Sequence, residues 1–142
     1  MKEIPVILIS HGHYSKYAFE SAEMIVGKQE NCEVISVTED KDLESVTKEL
    51  EEVYKKLKNE KGVIILTDIR GGTPSNATAN LLVRADGILA LSGYNMPLLL
   101  ELFTNRELLM DELKECLYEA FNESLADLRE ETAGLHDEDI EL

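Results

Sequence analysis

Two short stretches hold the residues best suited to chemistry. Ser10-His11-Gly12 closes an apolar run, Ile4 to Ser10, and Thr67-Asp68-Ile69-Arg70-Gly71-Gly72-Thr73-Pro74-Ser75-Asn76 follows another, Gly62 to Thr67. A neutral imidazole is a nucleophile through whichever nitrogen lacks the proton. An aspartate that accepts a hydrogen bond from the other nitrogen fixes the tautomer and stabilises the cationic ring formed on attack. Asp68 is expected to do this for His11. Two glycines let the backbone approach a ligand closely, and the amides at a helix start attract phosphate. Together these residues suit acceptance of a phosphoryl group on His11, its oxygens held by the amides of Gly71 and Gly72 and by the Thr73 hydroxyl. Thr73 also reads as a helix N-cap, with Pro74 at the first helical position and Asn76 able to cap back in its place.

The pair can act only if the fold brings residues 11 and 68 together. Ile4–Ser10 is almost unbroken in apolar character, as a strand covered on both faces should be. Tyr14 to Val26 carries Tyr17, Ala18, Ser21, Ala22, Ile25 and Val26 at helical spacing and ends at Gly27. Cys32–Val37 reads as a second strand. Asp42 to Asn59 reads as a helix with the stripe Leu43, Val46, Leu50, Val53, Tyr54 and Leu57, capped by Asp42. Val63–Thr67 is the third strand, Pro74 to Arg84 the third helix and Gly87–Ser92 the fourth strand; Asn95-Met96-Pro97 opens a short helix through about Asn105.

This alternation predicts an α/β fold: a doubly wound, mainly parallel sheet with helices on both faces. In strand order 2-1-3-4 the direction of winding reverses between strands one and three, and ligands bind at such switch points. Those strands end at His11 and Asp68. Glu107 to Phe121 reads as a further helix, and the periodicity through 122–128 leans towards its continuation, a short strand being the other possibility. Residues 129–142 form an acidic tail expected to fray, leaving one domain over residues 1–128.

With 29 acidic against 14 basic side chains, the net charge of −15 disfavours nucleic acid or an anionic membrane as partner and suits a basic protein. No apolar run approaches the roughly 20 residues that span a bilayer, and no secretory leader is visible, so a cytoplasmic location is expected. Cys32 and Cys116 lack metal-ligand spacing and read as reduced, core-type residues.

Ser10-His11-Gly12, Asp68 through Ala77 and Gly93-Tyr94-Asn95-Met96-Pro97, in that order, resemble the mannose-type (mannose, fructose, sorbose) IIA component of the bacterial sugar phosphotransferase system. The similarity runs over about residues 3 to 128. It implies that His11 takes a phosphoryl group from phospho-HPr and passes it to a IIB component, which phosphorylates the incoming sugar, the membrane permease being an indirect partner. It implies that Asp68 orients His11, that Thr73 and the glycine-loop amides contact the phosphoryl group, and that no cofactor is needed. It implies also a homodimer in which a short antiparallel last strand, Ser124 to Leu128, is exchanged between subunits. With no IIB domain within 142 residues, a free-standing component is expected.

Other residues support blander readings. His13 makes a His-x-His with His11, but only Asp68 is available as a further ligand, so no metal site is expected and His13 is read as a rim residue. Arg70 is either a phosphoryl or partner contact or a solvated charge. Tyr94 is read as bordering the site, Tyr14 and Tyr17 as packing, and His136 receives no role. The rival function is a non-catalytic, flavodoxin-like sensor whose glycine loop holds a phosphorylated small molecule; a metal-dependent hydrolase using His11, His13 and Asp68 is a third. The sugar cannot be read from this chain.

Overall fold

A computed structural model describes residues 2–135. The elements run β1 (Val6–His11), α1 (Tyr14–Val26), β2 (Cys32–Val37), α2 (Leu43–Leu57), β3 (Val63–Thr67), α3 (Gly72–Leu82), β4 (Ile88–Ser92), α4 (Met96–Phe103), α5 (Met110–Asn122) and α6 (Leu128–Thr132). All four strands are parallel, in the order β2-β1-β3-β4. The doubly wound sheet expected from the alternation is the one observed.

Each central strand feeds two cores because successive side chains point to opposite faces. Val6, Leu8, Ile64 and Leu66 face the layer of α1, α4 and α5, against Ala22, Leu99, Leu102, Leu113 and Leu117. Ile7, Ile9, Val63 and Ile65 face α2 and α3, against Val46, Leu50, Ala77 and Leu81. Each fully buried aliphatic side chain contributes about 2 kcal/mol. The helix of residues 43–57 starts as expected: the Asp42 carboxylate accepts from the Ser45 amide at 2.8 Å.

Four expectations need correction. The third helix begins at Gly72, not Pro74, because the backbone turns at Gly71 and Gly72, both at positive φ (78° and 81°), and is helical at once. Thr73 is thus inside the first turn and is not the N-cap, Pro74 is the third helical residue, and Asn76 makes no capping bond among the described residues. On α1, Ser15 and Ala22 face the core, whereas Tyr17, Met24 and Ile25 are exposed, so the apolar stripe is split between two faces. Finally, α5 does not continue through 122–128: Glu123 ends it, residues 124–127 are irregular, and Leu128–Thr132 is a separate short helix capped by Asp127. Within the single chain this segment forms no strand. His136 and the last part of the 129–142 tail lie outside the described residues.

Arg106 was not legible in the sequence. Although charged, it is 2% exposed, and its guanidinium donates to the carbonyls of Ile4 (2.8 and 3.1 Å), Glu30 (2.6 Å) and Asn31 (3.3 Å) and pairs with Glu3 (3.1 Å). One side chain thereby fastens the entry to β1, the entry to β2 and the α4–α5 loop. A buried cation persists only where acceptors replace its water, and here most of them are backbone carbonyls.

Candidate active site

His11 is the last residue of β1 and Asp68 follows the last residue of β3, so the parallel pairing of these strands puts both at one end of the sheet. The His11 ring Nδ1 lies 2.9 Å from Asp68 Oδ2, and the His11 backbone amide donates to the same oxygen at 3.1 Å. An ionised carboxylate only accepts, so Nδ1 carries the proton and the lone pair of the neutral ring is on Nε2. The imidazole is half-exposed, whereas the Asp68 side chain is 11% exposed. Asp68 Oδ1 is buried without a hydrogen-bond partner among the described residues. An under-solvated carboxylate gains most when its neighbour turns cationic, as the ring does on attack.

Gly72 lies against the reactive edge of the ring. A Cβ placed on it would sit 2.7 Å from Nε2 and 2.8 Å from Cε1 of His11, so no other residue type fits there undisturbed. The amides of Gly71, Gly72 and Thr73 precede the first intrahelical hydrogen bonds of α3, and Pro74 has no amide to add. Thr73 is partly exposed, and its hydroxyl makes no hydrogen bond among the described residues. Below the loop, the Ser75 hydroxyl donates to Ile69 O (2.7 Å), which stiffens the turn.

The remaining candidates separate. His13 is exposed and its Nδ1 lies 3.0 Å from Ser36 Oγ. Among the described residues there is no group of three or more His, Cys, Asp or Glu side chains placed to hold a metal ion. Arg70 and Asn76 are exposed, and Arg70 borders a groove of about 380 Å³ lined by Leu91, Leu98, Leu117 and Phe121. Tyr94 needs correction: it is 3% exposed and is not a rim residue. Its hydroxyl lies 2.6 Å from the buried Ser15 Oγ, while Asn95 caps α4 by accepting from the Leu98 amide (3.1 Å). Burial pushes the Tyr94 phenol above its usual range, the Ser15 hydrogen bond opposes this, and the charges of Tyr14 and Asp68 add to it. Sequence reading placed Ser10 in the histidine motif but gave it and Ser15 no role of their own; both are fully buried.

A family model described as the PTS system fructose IIA component matches residues 5–121, which include every site residue named above. The chain belongs to this family. Among its IIA relatives, the fructose-specific EIIA component of Bacillus subtilis (strain 168) is 31% identical over 104 residues, 73% of this chain and 71% of that protein. The sorbose-specific EIIA component of Lacticaseibacillus casei is 33% identical over 100 residues, 70% of this chain and 72% of that one. The mannose-specific EIIAB component of Escherichia coli (strain K12) is 30% identical over 104 residues, and this chain spans only 32% of its length. The crystal structure of phosphotransferase system component EIIA from Streptococcus agalactiae has a TM-score of 0.81 at 27% identity, covering 89% of this chain and 98% of that one. Membership makes this a sugar phosphotransferase system protein. The matched segment ends before residue 124, so it does not reach the irregular stretch after α5.

Proposed function

We propose that this chain is a phosphoryl carrier of the phosphoenolpyruvate-dependent system, loaded on His11 Nε2 by phospho-HPr and unloaded by a IIB component. The observation that carries the reading is the division of labour on one ring: Nδ1 is held by Asp68, and Nε2 is turned to Gly72 at the start of α3. In the transfer, the bond between phosphorus and the donor breaks as the P–Nε2 bond forms. No proton has to leave Nε2, because the neutral tautomer already has its lone pair there. The positive charge on the ring is balanced by Asp68, and the equatorial oxygens meet the amides of Gly71, Gly72 and Thr73 and the Thr73 hydroxyl. Arg70, His13 and Asn76 lie on the surface around this loop, where a docking protein would touch them.

A half-exposed histidine at the carboxyl end of a central strand suits exchange between two proteins better than capture of a free substrate in a closed pocket. No described helix is long and apolar enough to cross a membrane. A cytoplasmic carrier serving a membrane sugar permease indirectly is consistent with that. We place a homodimer contact at β4, one of the two outer strands, which has the groove of Leu91, Leu98, Leu117 and Phe121 on one side. The segment Ser124 to Leu128, with Leu125 95% exposed, is the part offered to the partner subunit.

The test is incubation with phosphoenolpyruvate, enzyme I and HPr, read by intact mass. One acid-labile phosphoryl group is expected on the wild type and none on His11→Ala. Equal uptake by the variant rejects the assignment.

A further inference from the structure

The interior beneath the imidazole holds a second tie between the two strand ends. The β1–β3 ladder stops at Ile9 and Thr67; Ser10 and His11 pair only with β2. Beyond that point, the Gly93 amide donates to Thr67 O at 2.9 Å and hangs the β4–α4 loop beside Asp68. The next residue, Tyr94, places its hydroxyl 2.6 Å from Ser15 Oγ. The Ser15 amide in turn donates to Ser10 Oγ at 2.8 Å, and Ser10 is covalently next to His11. With the His11–Asp68 bond, these contacts close a ring through Thr67, Gly93, Tyr94, Ser15 and Ser10.

Water is excluded from most of this ring: Ser10 and Ser15 are fully buried and Tyr94 is 3% exposed. The Tyr94 ring is fixed from the side by Tyr14, with centroids 5.5 Å apart. The phenol cannot move without leaving the Ser15 hydroxyl unpaired, and Ser15 cannot move without releasing the oxygen that sits one residue from the nucleophile. A phenol is protonated at physiological pH, and burial pushes that of Tyr94 further above its usual range.

We propose that Tyr94 is a positioning residue for phosphoryl transfer, holding His11 at its distance from Asp68 through Ser15 and Ser10. This rests on the carrier reading given above, but half of its test does not. A neutral hydrogen bond of about 1 kcal/mol corresponds to roughly fivefold in a rate or equilibrium.

The experiment uses the full chain and Tyr94→Phe. In the unphosphorylated protein, the His11 Nδ1 proton is followed by NMR, and its exchange with solvent is expected to quicken about fivefold. With phosphoenolpyruvate, enzyme I and HPr, the maximal rate of loading is expected to fall about fivefold while the half-saturating HPr concentration holds. Tyr94→Phe also strands the Ser15 hydroxyl, so stability drops; Ser15→Ala with Tyr94→Phe removes both ends and should restore it. If positioning is the role, the double variant regains stability but keeps fast exchange and slow loading. Wild-type exchange in Tyr94→Phe, or exchange and loading that recover with stability in the double variant, overturns the proposal. A wild type that never takes up phosphate sinks the carrier reading alone, since the NMR result stands without any donor.

Discussion

His11 and Asp68 are 57 residues apart in sequence, yet one carboxylate oxygen of Asp68 accepts from both the backbone amide and the ring Nδ1 of His11. The two bonds fix the main chain and the ring against the same atom, so the imidazole has little freedom to rotate. Orientation and tautomer are thus set by a single contact, and the nitrogen that faces Gly72 is left as the nucleophile.

Asp68→Asn should fold normally and lose transfer by on the order of a hundredfold or more. An amide cannot offset the cationic ring, and its NH₂ can shift the proton of the neutral ring onto Nε2. Rapid-quench measurement of phosphoryl uptake checks this; an unchanged rate leaves Asp68 with a structural role only.

Gly71 and Gly72 should differ sharply when each is changed to alanine. Both have positive φ, so either substitution costs about 1–3 kcal/mol of stability. At Gly71 the added methyl meets nothing within 4 Å, whereas at Gly72 it reaches 2.7 Å from Nε2. Lowered unfolding midpoints in both variants, with much the larger loss of phosphoryl uptake in Gly72→Ala, are expected. Equal losses in the two would mean that the approach to Nε2 is not through this glycine.

Arg106→Ala should lower stability by about 3 kcal/mol, because the buried carbonyl of Ile4 loses its donor, the carbonyl of Glu30 loses a 2.6 Å hydrogen bond and a cavity is left where the guanidinium was. Urea denaturation reads the midpoint. The folded fraction should accept phosphate at the wild-type rate, since the contact is at the other end of β1, roughly 20 Å away by strand rise.

Cys32 should resist alkylation. Burial pushes its thiol from 9.0 up to about 12, while the neighbouring Arg106 works in the opposite direction. At pH 8 its thiolate fraction is on the order of a thousandfold below that of an ordinary thiol, so iodoacetamide should spare it in the native protein. The unfolded thiol ionises first, so this group contributes stability below about pH 9 that is lost as pH rises towards 12. Cys32→Ala should therefore show a shallower loss of stability than the wild type across that window.

Removing residues 124–142 should convert a dimer to a monomer, followed by light scattering at micromolar protein. The shortened chain keeps all four strands and α5 and should stay folded. A full-length chain that already runs as a monomer would reject the proposed contact at β4.

Much of this was legible in the sequence for physical reasons. Strands covered on both faces write themselves as unbroken apolar runs, which is why Ile4–Ser10 and Val63–Thr67 and the chemistry at their ends could be placed. The start of α3 was misjudged by two residues because Thr73 has the look of a cap, while the actual turn is made by glycine conformations that a residue name does not reveal. Tyr94 reads as bordering the site because it follows the fourth strand in Gly93-Tyr94-Asn95-Met96-Pro97, whereas its burial depends on a partner, Ser15, 79 residues away. Arg106 sits in a polar stretch, Thr104-Asn105-Arg106-Glu107, that reads as solvated, and only the assembled fold brings carbonyls to it. On α1, helical spacing marked the apolar positions but not which side the sheet would cover.

The guanidinium clamp of Arg106 at the entry to β1 has an evolutionary corollary. A firm tie thus sits at the pole remote from His11, so exposed loop positions around the imidazole can drift in sequence without melting the sheet. A library randomised at the exposed positions Ile69, Arg70 and Asn76 should yield mostly soluble, cooperatively unfolding proteins, and this scaffold can be re-tuned for new exchange partners at little risk to its integrity.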